Sequence, residues 1–283
     1  MNASFVTRFA PSPTGLLHRG HAYSALLAYQ AAQAAGGTFI LRIEDIDATR
    51  ARPEFEAAIF EDLAWLGLSW PEPVRRQSLH LADYEAALAR LQGEGLVYRC
   101  FRTRKEVAQA MASAPHGAMD TFRSAPLPAI EEAQRLDRGE PFAWRLSLEA
   151  AAARLGGFDQ LTFQEEGAGP DGETGLICAR PELGGDVVLA RKDVGVAYHL
   201  AVVVDDALQG VTHVIRGCDL FEAAHVQRLL QALLALPAPV YRHHRLLAGP
   251  DGKRYAKRDR AETLQALRGA GLTPERLRQE IGL

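Results

Sequence analysis

Cysteine is scarce in this chain of 283 residues. Cys100, Cys178 and Cys218 stand far apart, are odd in number, and form no Cys-x-x-Cys or Cys-x-Cys pair. That pattern argues against a disulfide framework and gives a thiolate zinc site no local support. Long apolar runs are missing as well: no stretch approaches the ~20 residues a membrane helix needs. The opening, MNASFVTRFAPSPTG, has neither the basic start nor the apolar run of a signal peptide. Charge of one sign is not in excess either, with 32 Lys+Arg against 35 Asp+Glu and a net charge of -3. Bulk positive charge therefore cannot hold a nucleic acid, and any such contact must come from local basic clusters. The glycine-containing segment His18–His21 follows neither Walker nor Gly-x-Gly-x-x-Gly spacing. A cytoplasmic protein with no membrane partner is expected.

What is present suits an α/β protein. Hydrophobic residues make up 47% and charged residues 24%, which is ordinary globular composition and fits one large or two modest domains. Ser4–Ala10 reads as a strand that stops at Pro11, Ala22–Ala35 as an Ala/Leu-rich helix closed by Gly36-Gly37, and Thr38–Glu44 as a buried strand. Pro53 opens a helix with Phe55, Ile59, Leu63 and Leu66 on one face; helix Leu79–Gln92 and strand Leu96–Phe101 continue the pattern. Strand, helix, strand, helix at this spacing predicts a parallel sheet. From about Arg102 to Arg180 the texture changes, with short strands at Phe142–Leu148 and Gln160–Gln164 and a loop at Gly167–Gly175. This stretch reads as a mixed insertion. The α/β pattern resumes with strands Asp186–Arg191 and Thr212–Arg216 and helices Ala197–Leu208 and Leu220–Leu236. Two short helices follow, the second capped by Thr273 before Pro274.

Two segments carry chemistry. The first is His18-Arg19-Gly20-His21, between the first strand and the first helix. A helix N-terminus offers unsatisfied N–H groups and partial positive charge to an anion. Two imidazoles there can converge on one ligand as donors, and Gly20 lets a flat ligand approach the backbone. This layout suits the phosphates of a nucleotide; the plainer alternative is a pair of histidines that merely cap the helix. The second segment follows the turn at Gly249–Gly252: five Lys/Arg and two Asp lie within 251–260, enough charge to meet a polyphosphate. Alone, such a run is usually a solvated face, and it gains weight only with a phosphate site elsewhere in the chain.

Together the two segments resemble the glutamyl/glutaminyl branch of the class I aminoacyl-tRNA synthetases. The resemblance rests on Arg8–Gly15 (RFAPSPTG), His18–His21 (HRGH), Leu41–Asp47 (LRIEDID), Tyr198–Ala201 (YHLA), Val204–Asp206 (VDD), His213–Gly217 (HVIRG) and Lys257, in order over most of the chain. His18–His21 fills the family's HIGH position. Arg254–Arg258 (RYAKR) fills the KMSKS position, departing at every place except the phosphate-binding lysine, Lys257. The family implies a Rossmann-type parallel-sheet catalytic domain split by a mixed α+β insertion, with a short helical C-terminal segment. The expected division is 1–101 and 184–247 for the two catalytic halves, 102–183 for an acceptor-binding-like insertion, and 248–283 for the KMSKS-like loop and final helices.

The same resemblance implies the site. Glutamate would be held by Arg8, Phe9, Ala10, Pro11, Ser12, Glu44, Tyr198 and Arg216. ATP, arriving with Mg²⁺, would be held by His18, Gly20, His21 and Lys257, of which His18, His21 and Lys257 are catalytic. Guanidinium offers a planar fork to carboxylates, so Arg8 and Arg216 suit the two carboxylates, with Arg216 on the side chain, and Glu44 suits the ammonium. Strand termini place such residues where doubly wound sheets bind ligands. No nucleophilic side chain is required.

The chain ends soon after the KMSKS-like loop, so no anticodon-binding domain is expected. That likens it to a shorter paralogous branch that attaches glutamate to the queuosine base in the anticodon loop of tRNA(Asp). Val202, where glutamyl-tRNA synthetases usually carry Asn, resembles the same branch. Its partners would be L-glutamate, ATP and queuosine-bearing tRNA(Asp), with the chain acting as a monomer. Many of that branch carry zinc through a Cys-x-Cys pair; here Arg102 takes the second cysteine's place, so no structural zinc is expected. Arg99, Arg102, Arg104 and Lys105 could face RNA phosphates or be an ordinary exposed helix start. Arg242-His243-His244-Arg245 reads as a strand edge at the surface, with a weaker claim to RNA. The alternatives are a shortened glutamyl-tRNA synthetase charging a 3′ acceptor end, an adenylylating enzyme without RNA, and an inactive tRNA-binding module.

Overall fold

A computed structural model describes residues 4–103, 105–108, 121–191, 195–247 and 262–283. Strand β1 (Val6–Phe9) leads through a proline-rich loop into helix α1 (Arg19–Ala34), and β2 (Thr38–Ile43) returns parallel to β1. Helix α2 (Pro53–Trp65) starts at a proline, whose missing N–H costs nothing there, with Glu54 and Glu56 favouring the positive helix end. Strand β3 (Arg75–Arg76), helix α3 (Leu81–Gly93) and strand β4 (Val97–Cys100) complete the first third.

The middle holds α4 (Ala129–Asp137), β5 (Ala143–Leu146), α5 (Leu148–Leu155), β6 (Thr162–Glu165), β7 (Gly175–Cys178), β8 (Val188–Arg191) and β9 (Gly195–Val196). Then come α6 (Tyr198–Leu208), β10 (His213–Gly217), α7 (Phe221–Leu233), β11 (Val240–His244), α8 (Leu264–Gly269) and α9 (Pro274–Ile281). Thr273 caps α9 by accepting from the Arg276 N–H, as expected.

The main sheet runs β3-β2-β1-β10-β11-β6-β7, parallel throughout except for β7. From β1 the chain steps outward to β2 and β3 on one side, then returns to β10 and β11 on the other. A crevice therefore opens beyond the carboxyl ends of β1 and β10, where such sheets take ligands. Adjacent residues divide between the faces: Ile40 and Val214 pack into one hydrophobic cluster, Leu41 and Ile215 into the other. The first cluster is closed by α3, α6 and α7, the second by α1, α2, α8 and α9.

Three strands pair differently from the expectation. Leu96–Phe101 does not continue the parallel sheet, nor does Asp186–Arg191 resume it. Strands β4 and β8 instead flank β5 in a separate antiparallel sheet, β4-β5-β8-β9. Conversely, β6 from the expected insertion joins the main sheet beside β11. The cause is general: a short apolar strand carries no local mark of its partner's direction, and long-range packing decides it. Beneath the antiparallel sheet, Tyr98, Cys100 and Phe122 form a small cluster. Buried Asp186 anchors it, accepting from the Tyr98 hydroxyl at 2.8 Å and the Ser124 and Leu148 N–H groups. Among the described residues no helix is long and apolar enough to cross a membrane.

Candidate active site

A cavity of about 640 Å³ opens at the carboxyl ends of β1 and β10. Its wall includes Arg8, Phe9, Ala10, Pro11, Ser12, His18, Gly20, His21, Glu44, Tyr198 and Arg216, so every site residue named from the sequence but Lys257 meets there. Lys257 lies outside the described residues, as do the rest of Arg254–Arg258 and Arg104.

One end is made by the start of α1. His18 is the N-cap, and its Nδ1 accepts the Gly20 N–H at 3.1 Å. His21 Nδ1 accepts the His18 N–H at 3.2 Å, closing a reciprocal capping box. The two rings stack with centroids 3.8 Å apart. Since each Nδ1 accepts, each ring proton sits on Nε2, so both imidazoles carry a donor on the atom away from the cap. Capping and donation are thus compatible roles, and the two readings of these histidines merge. A Cβ on Gly20 would lie 3.0 Å from the His18 ring, so the glycine also makes room for the stacked pair.

The other end is built from strand termini. Arg8, Glu44 and Arg216 are 5%, 9% and 5% exposed. Arg8 Nε donates to Asp206 at 3.1 Å, and Arg42 Nη1 donates to the same carboxylate at 2.8 Å. Arg42 also reaches Glu44, at 3.3 Å, while Asp205 takes Arg75, Gln77 and the Tyr84 hydroxyl. Burial alone would raise the Asp206 pKa, but Arg8 and Arg42 outweigh it and hold the carboxyl below its usual range. Glu44 is pushed up, by burial above all, despite Arg42 and Arg8. A buried carboxylate in that condition gains from an arriving ammonium. The Glu44 N–H also bonds to the Pro11 carbonyl at 3.0 Å, tying the loop after β1 to the end of β2.

Arg216 is held on three nitrogens. Nε donates to His243 Nε2 at 3.0 Å, Nη1 to Gln227 at 2.9 Å, and Nη2 to the Leu220 carbonyl at 3.0 Å; Tyr198 Oη lies 3.5 Å from Nη1. Here the expectation for Arg242–Arg245 fails: β11 is an interior strand, and His243 is 2% exposed. Arg42, Asp205 and Asp206 receive no role from the sequence alone, and His243 only a weak claim to RNA. For Arg42 a signal existed, since an arginine between Leu41 and Ile43 in an apolar strand needs a buried carboxylate partner. His243 offered none, because its neighbours are polar.

A second cavity of about 860 Å³ lies between the two sheets and shares Ser12, Glu44 and Tyr198 with the first. Phe101, Phe142, Arg102, Arg145 and Arg191 line it. Of the basic residues proposed for RNA, Arg102 and Lys105 are exposed. Arg99 is engaged, pairing with Glu132 and stacking over Trp144 at 4.4 Å. No group of three His, Cys, Asp or Glu side chains among the described residues could hold a metal ion.

Comparison with known proteins follows the same lines. The model described as "tRNA synthetases class I (E and Q), catalytic domain" matches residues 4–283. A glutamyl-Q tRNA(Asp) synthetase of Rhodobacter capsulatus is 47% identical over 98% of this chain and 100% of its own length. Another, of Symbiobacterium thermophilum, is 43% identical over 95% and 82% respectively. Among solved structures, a glutamate tRNA ligase from Elizabethkingia meningosepticum, in complex with its amino acid, is similar at a TM-score of 0.73 and 29% identity. The match covers 90% of this chain but only 52% of that one, so the chain spans about half the ligase.

Proposed function

The chain belongs to the class I tRNA synthetase family specific for E and Q, and on that premise we propose that it activates L-glutamate with ATP and transfers it to the queuosine base of tRNA(Asp). The observation that carries this reading is the single cavity in which Arg8, Glu44 and Arg216 face the His18–His21 helix start, in a chain 47% identical to a glutamyl-Q tRNA(Asp) synthetase over nearly its whole length.

The chemistry follows from the charges. Glutamate enters with its ammonium toward Glu44, its side-chain carboxylate toward Arg216 and its α-carboxylate toward the nucleotide. An oxygen of that α-carboxylate attacks the α-phosphorus of ATP; the bond to the β-phosphate oxygen breaks, leaving glutamyl-adenylate and pyrophosphate. His18 and His21 donate to the phosphate oxygens as charge builds there, and Lys257 supplies a cation to the leaving pyrophosphate. Mg²⁺ comes in with ATP as the counter-ion of its phosphates. A hydroxyl of the queuosine base then attacks the acyl carbon, and AMP leaves. The second cavity supports this step, since Ser12, Glu44 and Tyr198 border both spaces and its Arg-lined aromatic wall suits a nucleobase with its phosphates.

The test is ATP–pyrophosphate exchange without tRNA, followed by transfer of labelled glutamate to tRNA(Asp) with and without queuosine. Exchange that requires glutamate, and transfer only to the queuosine-bearing RNA, is expected. Label on the 3′ acceptor end would instead identify a shortened glutamyl-tRNA synthetase. RNA binding without exchange would leave a binding module.

A further inference from the structure

Behind Arg216 lies a buried relay that runs through an imidazole to a carboxylate. His243 on β11 stands between Arg216 on β10 and Glu165 on β6: Arg216 Nε to His243 Nε2 is 3.0 Å, and His243 Nδ1 to Glu165 Oε2 is 2.6 Å. Both side chains of the pair are fully buried. A guanidinium Nε–H can only donate, so His243 Nε2 must accept and the ring proton must sit on Nδ1, donated to Glu165. Glu165 is held in turn: its Oε1 accepts the backbone N–H groups of His243 and Gly167, each at 2.8 Å. A Cβ on Gly167 would lie 2.1 Å from the His243 carbonyl oxygen, so the turn closes on this strand only with glycine. Tyr241 stacks parallel to the imidazole at 5.9 Å, and Phe221 meets it edge-on at 5.2 Å. Ring orientation, tautomer and guanidinium plane are therefore all set from below.

We propose that Glu165 and His243 are positioning residues for amino-acid selection: the carboxylate fixes the imidazole tautomer, and the imidazole holds Arg216 in the plane that fits a side-chain carboxylate and refuses a carboxamide. The proposal rests on Arg216 being the anchor for the glutamate side chain. A guanidinium pinned through Nε, Nη1 and Nη2 presents only donors to the cavity. Two carboxylate oxygens satisfy them, whereas the amide nitrogen of glutamine would set donor against donor. Burial pushes the His243 pKa down against the pull of Glu165, which keeps the ring in the neutral form that can accept from Arg216.

The experiment is glutamate- and glutamine-dependent ATP–pyrophosphate exchange in the full chain and four variants. His243→Asn keeps a donor for Glu165 but loses the acceptor for Arg216; His243→Gln places an acceptor near the old Nε2. Glu165→Gln turns an amide N–H toward Nδ1, forcing the ring proton onto Nε2 and against Arg216. Losing one hydrogen bond to a charged group corresponds to roughly 10- to 100-fold. The glutamate KM should therefore rise about that much in His243→Asn and Glu165→Gln, and the preference for glutamate over glutamine should fall in step. The KM for ATP should stay within about twofold, since the nucleotide end is untouched, and His243→Gln should recover most of the loss. Arg216→Gln separates the two layers. If it leaves the glutamate KM unchanged, the anchor reading fails and the relay falls with it. If it abolishes glutamate use while folded His243→Asn and Glu165→Gln behave as the parent chain, the relay alone is overturned. Should these variants not fold, imidazole ¹⁵N NMR of the parent chain decides: a proton on Nδ1 of His243 is expected, and one on Nε2 overturns the proposal.

Discussion

The two ends of the cavity fix their polar side chains by different means. His18 and His21 are set by hydrogen bonds to backbone groups two and three residues away. Arg8 is set by a carboxylate 198 residues along the chain, and Arg216 by an imidazole 27 residues on that leans on a glutamate 78 residues back. The end proposed for the nucleotide is thus a local structure that the first turn of a helix makes for itself. The end proposed for the amino acid exists only once β1, β2, β10, β11 and β6 lie side by side. Local hydrogen bonds suffice to orient two stacked imidazoles at a helix start. Burying guanidinium and carboxylate groups costs several kcal/mol each unless they are paired, and such pairs have to come from elsewhere in the chain.

If that contrast is right, damage to the amino-acid end should be structural as well as catalytic. Asp206→Ala leaves Arg8 and Arg42 buried without their shared carboxylate. It should destabilise the protein by about 3–5 kcal/mol in urea unfolding; a loss of activity at unchanged stability would show that the network is not the scaffold. Damage to the nucleotide end should separate the two. His21→Ala and Lys257→Ala should each slow pyrophosphate exchange by about 10²–10³-fold, while His21→Ala costs stability only on the scale of a helix cap, about 1 kcal/mol. Equal losses of stability at both ends would erase the distinction.

Acidity offers a finer test. Because burial raises the Glu44 pKa, its carboxylate takes up a proton above the usual glutamate range of about 4.3. The glutamate KM should then climb as pH falls toward that raised value, and the slope should vanish in Glu44→Gln. The smallest effect is expected at Thr263, which caps α8 by accepting from the Ala266 N–H at 3.1 Å and whose backbone bridges to His18. Thr263→Ala should cost about 1 kcal/mol in unfolding and leave the glutamate KM alone. A shift in that KM would mean the two ends are coupled through α8.

Legibility in the sequence follows the same division. The His18–His21 helix start could be read directly, because capping and N–H exposure are properties of a few adjacent residues. Arg8, Glu44 and Arg216 could be named as site residues from motif resemblance and from their place at strand ends. Their partners could not be named: Asp205 and Asp206 end an apolar helix without saying which arginines they meet. His243 misled, since Arg242-His243-His244-Arg245 is polar throughout, yet β11 is covered on one side by β10 and on the other by β6. The errors in strand pairing have the same root. Strands β4, β6 and β8 were recognisable as strands, but each joined a sheet other than the expected one.

By itself the sequence determined the alternation of strands and helices, the histidine-capped helix start, and the acids and bases that line the cavity, because periodicity, capping and residue chemistry act over a few positions. The tertiary structure alone decided which carboxylate meets which guanidinium, which strand adjoins which, and that His243 stands buried between Glu165 and Arg216. Those pairings join residues tens to hundreds of positions apart, and the desolvation that makes them necessary arises only when the sheets pack.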